Sequence, residues 1–172
     1  MDENAKVVDG FRFAPPSLRA WLSKEIPEHD FQGQIPWTPL NKPLRDTRFS
    51  LVTSAGVNMK SDPPFDVERE KREPAWGDPS FRQIPRHVGP DDYDVNHLHI
   101  NTDFVKADLN VVLPTEHFLE FEREGSIGAL APTSYSYYGY QPDPHRLLAE
   151  SMPRMAEAMQ RERVDAVLLT PA

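Results

Sequence analysis

Two histidines open the question of chemistry. In Val95-Asn96-His97-Leu98-His99-Ile100 apolar and polar side chains alternate at period two, the pattern of a strand that points His97 and His99 to the same face. Two imidazoles with the carboxylate of Asp103 would make a low-coordinate metal site. Without a metal, the same rings could recognise a carboxylate or donate a proton as a general acid, because imidazole titrates near neutrality. The ordinary alternative is one packed ring and one hydrogen-bonded ring.

Three further stretches carry polar groups in suggestive places. Thr53-Ser54-Ala55-Gly56 follows an apolar run, so the hydroxyls of Thr53 and Ser54 and the backbone at Gly56 would sit at a strand tip, where carboxylates bind or where a tight turn simply forms. Lys60, Ser61 and Asp62 precede Pro63-Pro64, a fixed loop that could orient substrate, contact a partner or face solvent. Tyr135, Tyr137, Tyr138 and Tyr140 lie within six residues. Four phenolic rings could cage a quaternary ammonium group by cation–π attraction, or could cover a core or an interface. The chain has 0 cysteines, which removes disulfides, thiolate metal sites and an internal thiol nucleophile. It also lacks a nucleophile elbow, a dinucleotide loop and a phosphate-binding loop.

The elements that would position these groups alternate. Phe49–Val57 reads as a first core strand running into a turn. Residues 60–94 are dense in Pro, Asp, Arg and Glu and read as one long loop anchored by Phe65, Trp76 and Phe81, its charged run Glu68–Glu73 solvated. Thr115–Glu124 is a helix closed by Gly125, and Ile127–Ala131 a short strand. Pro144–Arg163 is the clearest helix, with Leu147, Leu148, Met152, Met155, Ala156 and Met159 as its apolar stripe. Val164–Thr170 reads as a central parallel strand. The order implies an α/β fold, a mostly parallel sheet flanked by helices like half of a flavodoxin- or Rossmann-like domain. Residues 1–47 would form a short helix at Pro15–Leu22 and an extended arm through Ile35-Pro36-Trp37-Thr38-Pro39-Leu40, and residues 48–172 the α/β domain, together one compact unit.

A net charge of −8 disfavours nucleic acid, whose affinity comes from clustered Lys and Arg. No run of apolar residues is long enough to cross a bilayer, and the first residues lack a signal-peptide layout, so a cytoplasmic location is expected.

Several segments together resemble one family: PWTPLNKPL, LVTSAGVNMKSDPPFD, GDPSFRQIP, HLHINTD, LNVVLPTEHFLEF, IGALAPTSYSYYGY and VDAVLLTPA. They are similar to, and in the same order as, segments of the selenoprotein B family of glycine, sarcosine, betaine and D-proline reductases. The resemblance implies an oxidoreductase subunit that reductively cleaves a C–N bond of an amino acid or betaine-type substrate, working with partner reductase subunits in a homo- or hetero-oligomer. It implies no cofactor in this chain and a pyruvoyl group on a partner. It places the reactive selenocysteine or cysteine immediately after Ala172, at the carboxyl end of the strand ending at Thr170, where the following helix would favour a selenolate or thiolate. Within the chain it makes an acid or base role for His97 and His99 more attractive, and the residues themselves offer Thr53, Ser54, Gly56, Lys60, Asp62, Asp103, Tyr138 and Thr170 as substrate-binding candidates. An end at Ala172 is expected either from a UGA codon read as stop or from natural loss of the redox residue. A non-redox binding or scaffold relative, and a metal-dependent enzyme using His97 and His99, are the alternative readings.

Overall fold

The computed structural model describes residues 10–13, 15–25 and 38–172. The chain divides into two compact units, one within residues 1–37 and one spanning Thr38–Ala172. In the first, helix α1 (Pro16–Glu25) begins on a proline, whose fixed φ and missing N–H suit a first turn. Ile35, Pro36 and Trp37 of the expected arm lie outside the described residues, and Thr38–Leu40 have no regular structure.

The second unit is an α/β fold, as its sequence order implies. Strand β1 (Arg48–Thr53) is the middle of the sheet. The chain then turns at Ser54–Gly56 into the short β2 (Val57–Met59), so the run from Phe49 to Val57 is two strands in two sheets. Gly56 adopts φ 69°, a left-handed conformation that costs other residues. A Cβ there would lie 2.4 Å from the Asn96 carbonyl oxygen.

The stretch between 60 and 94 is not one loop. It contains α2 (Val67–Arg72), β3 (Phe81–Pro85) and the start of β4 (Tyr93–Val95), which pairs antiparallel with β2. Helix α2 starts because the Asp66 carboxylate caps the Arg69 amide. After β4 the chain leaves strand geometry, so His97 and His99 stand on an irregular segment and not on the alternating strand their spacing suggests. Helix α3 (Thr102–Ala107) and α4 (Thr115–Arg123) follow. Then come β5 (Ala129–Leu130) and β6 (Thr133–Tyr137), the latter the strand that the tyrosine tract conceals.

The last helical segment contains a π-helical turn, Leu147–Ser151, that leads into α5 (Met152–Arg161). The Met152 amide donates to the Leu147 carbonyl, and Pro153 just after it has no N–H to give. The wider turn shifts the phase of the predicted stripe. Leu147 and Met155 are buried and Met152 and Met159 half-buried, whereas Leu148 and Ala156 are exposed and Ala158 is buried instead.

Strand β7 (Ala166–Thr170) pairs in parallel with β1 from Phe49↔Ala166 to Thr53↔Thr170. On its other side β1 pairs in parallel with β5 at its start and β6 at its end, and β3 joins β6 antiparallel. Alternate residues of β1 serve opposite layers. Leu51 packs with Val105, Leu109, Leu113 and Leu130, under α3 and α4. Val52 packs with Tyr135, Met155 and Ala158, under α5. Among the described strands β7, whose composition suggests a central strand, pairs only with β1. Val167, Leu168 and Leu169 remain 40%, 36% and 69% exposed.

Candidate functional site

The parallel strands β1, β6 and β7 deliver their carboxyl ends to one place. The Ser54 amide donates to the Thr170 carbonyl at 3.3 Å, and the Ala172 amide donates to Ser54 Oγ at 3.0 Å. The Gly139 amide, just after β6, donates to the Ser54 carbonyl at 2.9 Å. Ser54 thus ties all three strand ends together. Thr53 Oγ1 accepts the Ala55 amide and closes the turn. The Thr170 hydroxyl lies between the Val52 and Val112 carbonyls. These two hydroxyls are engaged in building the edge.

The residues on either side of Gly139 carry the site outward. Tyr138, 1% exposed, stacks on His97 with ring centroids 4.4 Å apart, and Tyr140 lies against His99 at 4.1 Å. Beneath them is Glu70, from the inner face of α2, only 3% exposed. The Tyr138 hydroxyl donates to Glu70 Oε2 and accepts the Leu98 amide. Glu70 Oε1 lies 2.5 Å from His99 Nε2. One buried carboxylate therefore joins a tyrosine and a histidine from two other segments.

The two histidines have different environments. His97 is 8% exposed and its Nδ1 accepts the His99 amide. Burial, and then the neighbouring His99 charge, lower its pKa to about 4 against the opposing pull of Glu70. His97 is a neutral ring at ordinary pH. The His99 side chain is 46% exposed. Burial, and then the hydrogen bond to Glu70, push the Tyr138 phenol upward, so it stays a donor.

Other predicted members do not join this cluster. Lys60 and Asp62 lie in the turn after β2, with Lys60 exposed and its amide bonded to the Asp92 carbonyl. Asp103 sits in the first turn of α3, its amide capped by Asn101 Oδ1. No hydrogen bond or ring contact joins these three to His97, His99 or Tyr138 among the described residues. The metal reading took both rings from one face of a strand together with Asp103, whereas among the described residues no three His, Asp or Glu side chains are grouped to hold a metal ion. Nor do four tyrosines form one cage. Tyr135 and Tyr137 pack in the layer under α5, with Tyr135 against Phe81, while Tyr138 and Tyr140 pair with the histidines.

Glu70 is the residue that the charged run conceals. Its one sequence signal is Val67 three positions earlier, which places Glu70 on the single apolar face of α2.

A polar cluster at the carboxyl edge of a parallel sheet is where α/β folds place ligand chemistry. The family model of glycine/sarcosine/betaine reductase selenoprotein B (GRDB) matches residues 23–172, and the chain belongs to that family. It is 37% identical over 134 residues to a D-proline reductase subunit gamma of Acetoanaerobium sticklandii, covering 78% of this chain and 52% of that protein. It is 28% identical over 146 residues to a glycine reductase complex component B subunit gamma of Symbiobacterium thermophilum, covering 85% of this chain and 33% of that protein. The chain thus spans about half of the first relative and a third of the second. No solved structure matches it significantly. Among the described residues no helix is long and apolar enough to cross a membrane.

Proposed function

We propose that this chain forms the part of a selenol- or thiol-dependent reductase subunit that presents the nucleophile to an amino-acid or betaine-type substrate, in a complex with partner subunits and in the cytoplasm. The observation that carries the reading is the path of β7. It brings Ala172 onto Ser54 Oγ, one residue from the position where the family resemblance places selenocysteine or cysteine.

The chemistry needed there is balanced as follows. A selenolate or thiolate attacks the substrate carbon, a C–Se or C–S bond forms, and the C–N electron pair leaves with nitrogen, which departs from a betaine as a neutral tertiary amine and from an amino acid takes a proton. A thiol then attacks the chalcogen, the carbon leaves with the electron pair and is protonated to C–H, and the resulting Se–S or S–S bond is reduced by a dithiol. The pyruvoyl group implied on a partner would supply a carbonyl to hold an amine. This chain's residues would orient the nucleophile through Ser54, exclude water through buried Tyr138 and His97, and move the proton required by nitrogen.

Reading the frame beyond the Ala172 codon tests the proposal. An in-frame UGA or Cys codon with a continuing open frame is expected, and an ordinary stop overturns the reading. Where the frame continues, the full chain reconstituted with its partner subunits and a dithiol should cleave the C–N bond of glycine, sarcosine, betaine or D-proline, releasing the amine from the first three and opening the ring of the last, which keeps its amine. Replacement of that selenocysteine or cysteine by Ala should abolish cleavage.

A further inference from the structure

Either histidine could serve as the proton donor on spacing alone, but their surroundings separate them. His97 has Nδ1 occupied as an acceptor for the His99 amide, and its Nε2 is buried with no hydrogen-bond partner. It is also held neutral at ordinary pH. Such a ring packs and supports; it has no proton to spare and no open route for one.

His99 is arranged the other way. The Leu98 amide donates to the Tyr138 oxygen, which directs the phenolic hydrogen toward Glu70 Oε2. The second oxygen of the same carboxylate meets His99 Nε2. A carboxylate accepts and does not donate. Nε2 therefore carries hydrogen, and the exchangeable position is Nδ1, on the opposite side of a half-exposed ring backed by Tyr140.

We infer that His99 is the proton donor to the departing nitrogen, acting through Nδ1, and that Glu70, held by Tyr138, is the positioning residue that fixes its tautomer and orientation. The arrangement is the one by which a buried carboxylate orients a histidine in acid–base catalysis. As the C–N electron pair leaves with nitrogen, the Nδ1 proton follows it. His99 is left as the neutral Nε2–H imidazole, and solvent reprotonates it. Groups facing His99 are Glu70 from α2, Tyr138 and Tyr140 after β6, and His97 on its own segment. This inference rests on the reductase reading for its substrate, but the dyad itself can be examined without turnover.

Nitrogen-15 NMR of the histidine-labelled full chain reads the tautomer directly. The expected result is the Nε2–H tautomer for neutral His99, with a mixture of tautomers in Glu70→Ala. An Nδ1–H tautomer in the parent chain, or an unchanged tautomer in Glu70→Ala, overturns the dyad. In the reconstituted complex, Glu70→Gln should lower kcat about 10- to 100-fold with KM changed little and with the alkaline limb of the pH profile displaced, since a proton donor fails once it is deprotonated. Glu70→Asp should recover part of the loss. Equal loss in both variants with the wild-type pH profile would mean a structural role and overturn the inference. An intact dyad in a complex that cleaves no C–N bond would sink the reductase reading instead.

Discussion

The two ends of the parallel sheet are held together by different chemistry. At the amino end, charged groups at or near the surface tie the strands. Asp165 accepts from Lys42 at 2.6 Å and from the Arg48 amide at 2.8 Å. Glu162 accepts from the Thr133 hydroxyl, and Glu122 joins Arg86 to the Leu130 amide. At the carboxyl end the ties are serine hydroxyls and backbone groups, with Ser136 Oγ accepting the Val57 amide and Ser54 binding Ala172. The Glu70 carboxylate there is buried and serves a tyrosine and a histidine. Exposed ion pairs tolerate movement and change; a buried acid held by two directional donors fixes geometry. The difference marks one end as fastening and the other as the place where groups are held for use.

The largest contrast should come from the turn itself. Gly56→Ala must place a Cβ 2.4 Å from a backbone oxygen at φ 69°, so a loss of about 3 kcal/mol or more in unfolding free energy is expected. Urea denaturation checks it. A loss below about 1 kcal/mol would show that the carboxyl edge yields more easily than its packing implies.

Next in size is Glu70→Ala, which strips the acceptor from the buried Tyr138 hydroxyl and from His99. A cost of about 2–3 kcal/mol is expected, against about 1 kcal/mol or less for Asp165→Ala at the amino end, whose side chain is 26% exposed. Equal values for the two would erase the distinction between the ends.

Acid should open the two ends in order. The pKa of His97 is lowered to about 4, so between its unfolded value near 6.5 and 4 the unfolded chain binds more protons. Stability contributed by the neutral ring is full above about 6.5 and falls as pH drops to 4, by up to about 3 kcal/mol. At the amino end, Asp165 is lowered by its Lys42 and Arg48 hydrogen bonds. Burial raises the Glu122 pKa, but the Leu130 amide and Arg86 outweigh it and bring it down. Their contribution is present above the ordinary carboxylate range and disappears only as pH falls below it. His97→Asn, which keeps an acceptor for the His99 amide, should flatten the slope between pH 6.5 and 4. An unchanged slope there would assign the acid sensitivity elsewhere.

What could be read from the sequence divides along the same line. The apolar strand runs at 49–57 and 164–170, the helices and the small residues at the turn announced the parallel sheet, because burial of aliphatic side chains has a period. Strand β6 did not, since Ser134, Ser136 and Tyr135 are buried polar residues whose pairing with β1 and β3 is set by tertiary contacts. The candidates Ser54, Gly56, His97, His99 and Tyr138 do meet at or beside the carboxyl edge. Their geometry differs from the strand their spacing suggests, because alternation from Val95 to Ile100 imitates a strand where the chain has already left one. Glu70 was illegible for a simpler reason: five of the six residues of α2 are charged, and nothing in their types says which one turns inward.

The smallest expected effect is the most discriminating for the carboxyl end. Tyr140→Phe keeps the ring against His99 and removes only the hydroxyl that donates to the Pro74 carbonyl at 2.8 Å, so a change within about 1 kcal/mol is expected. Tyr138→Phe, by contrast, keeps the stack on His97 but takes one of the two donors from Glu70. The His99 Nε2–H resonance, followed by NMR, should stay in place in Tyr140→Phe and move in Tyr138→Phe, because there the carboxylate it is bonded to has lost its second donor. Identical resonances in the two variants would mean that the phenol and the histidine do not share the carboxylate, and the carboxyl edge would then be a packed surface with no more internal order than the ion pairs at the other end.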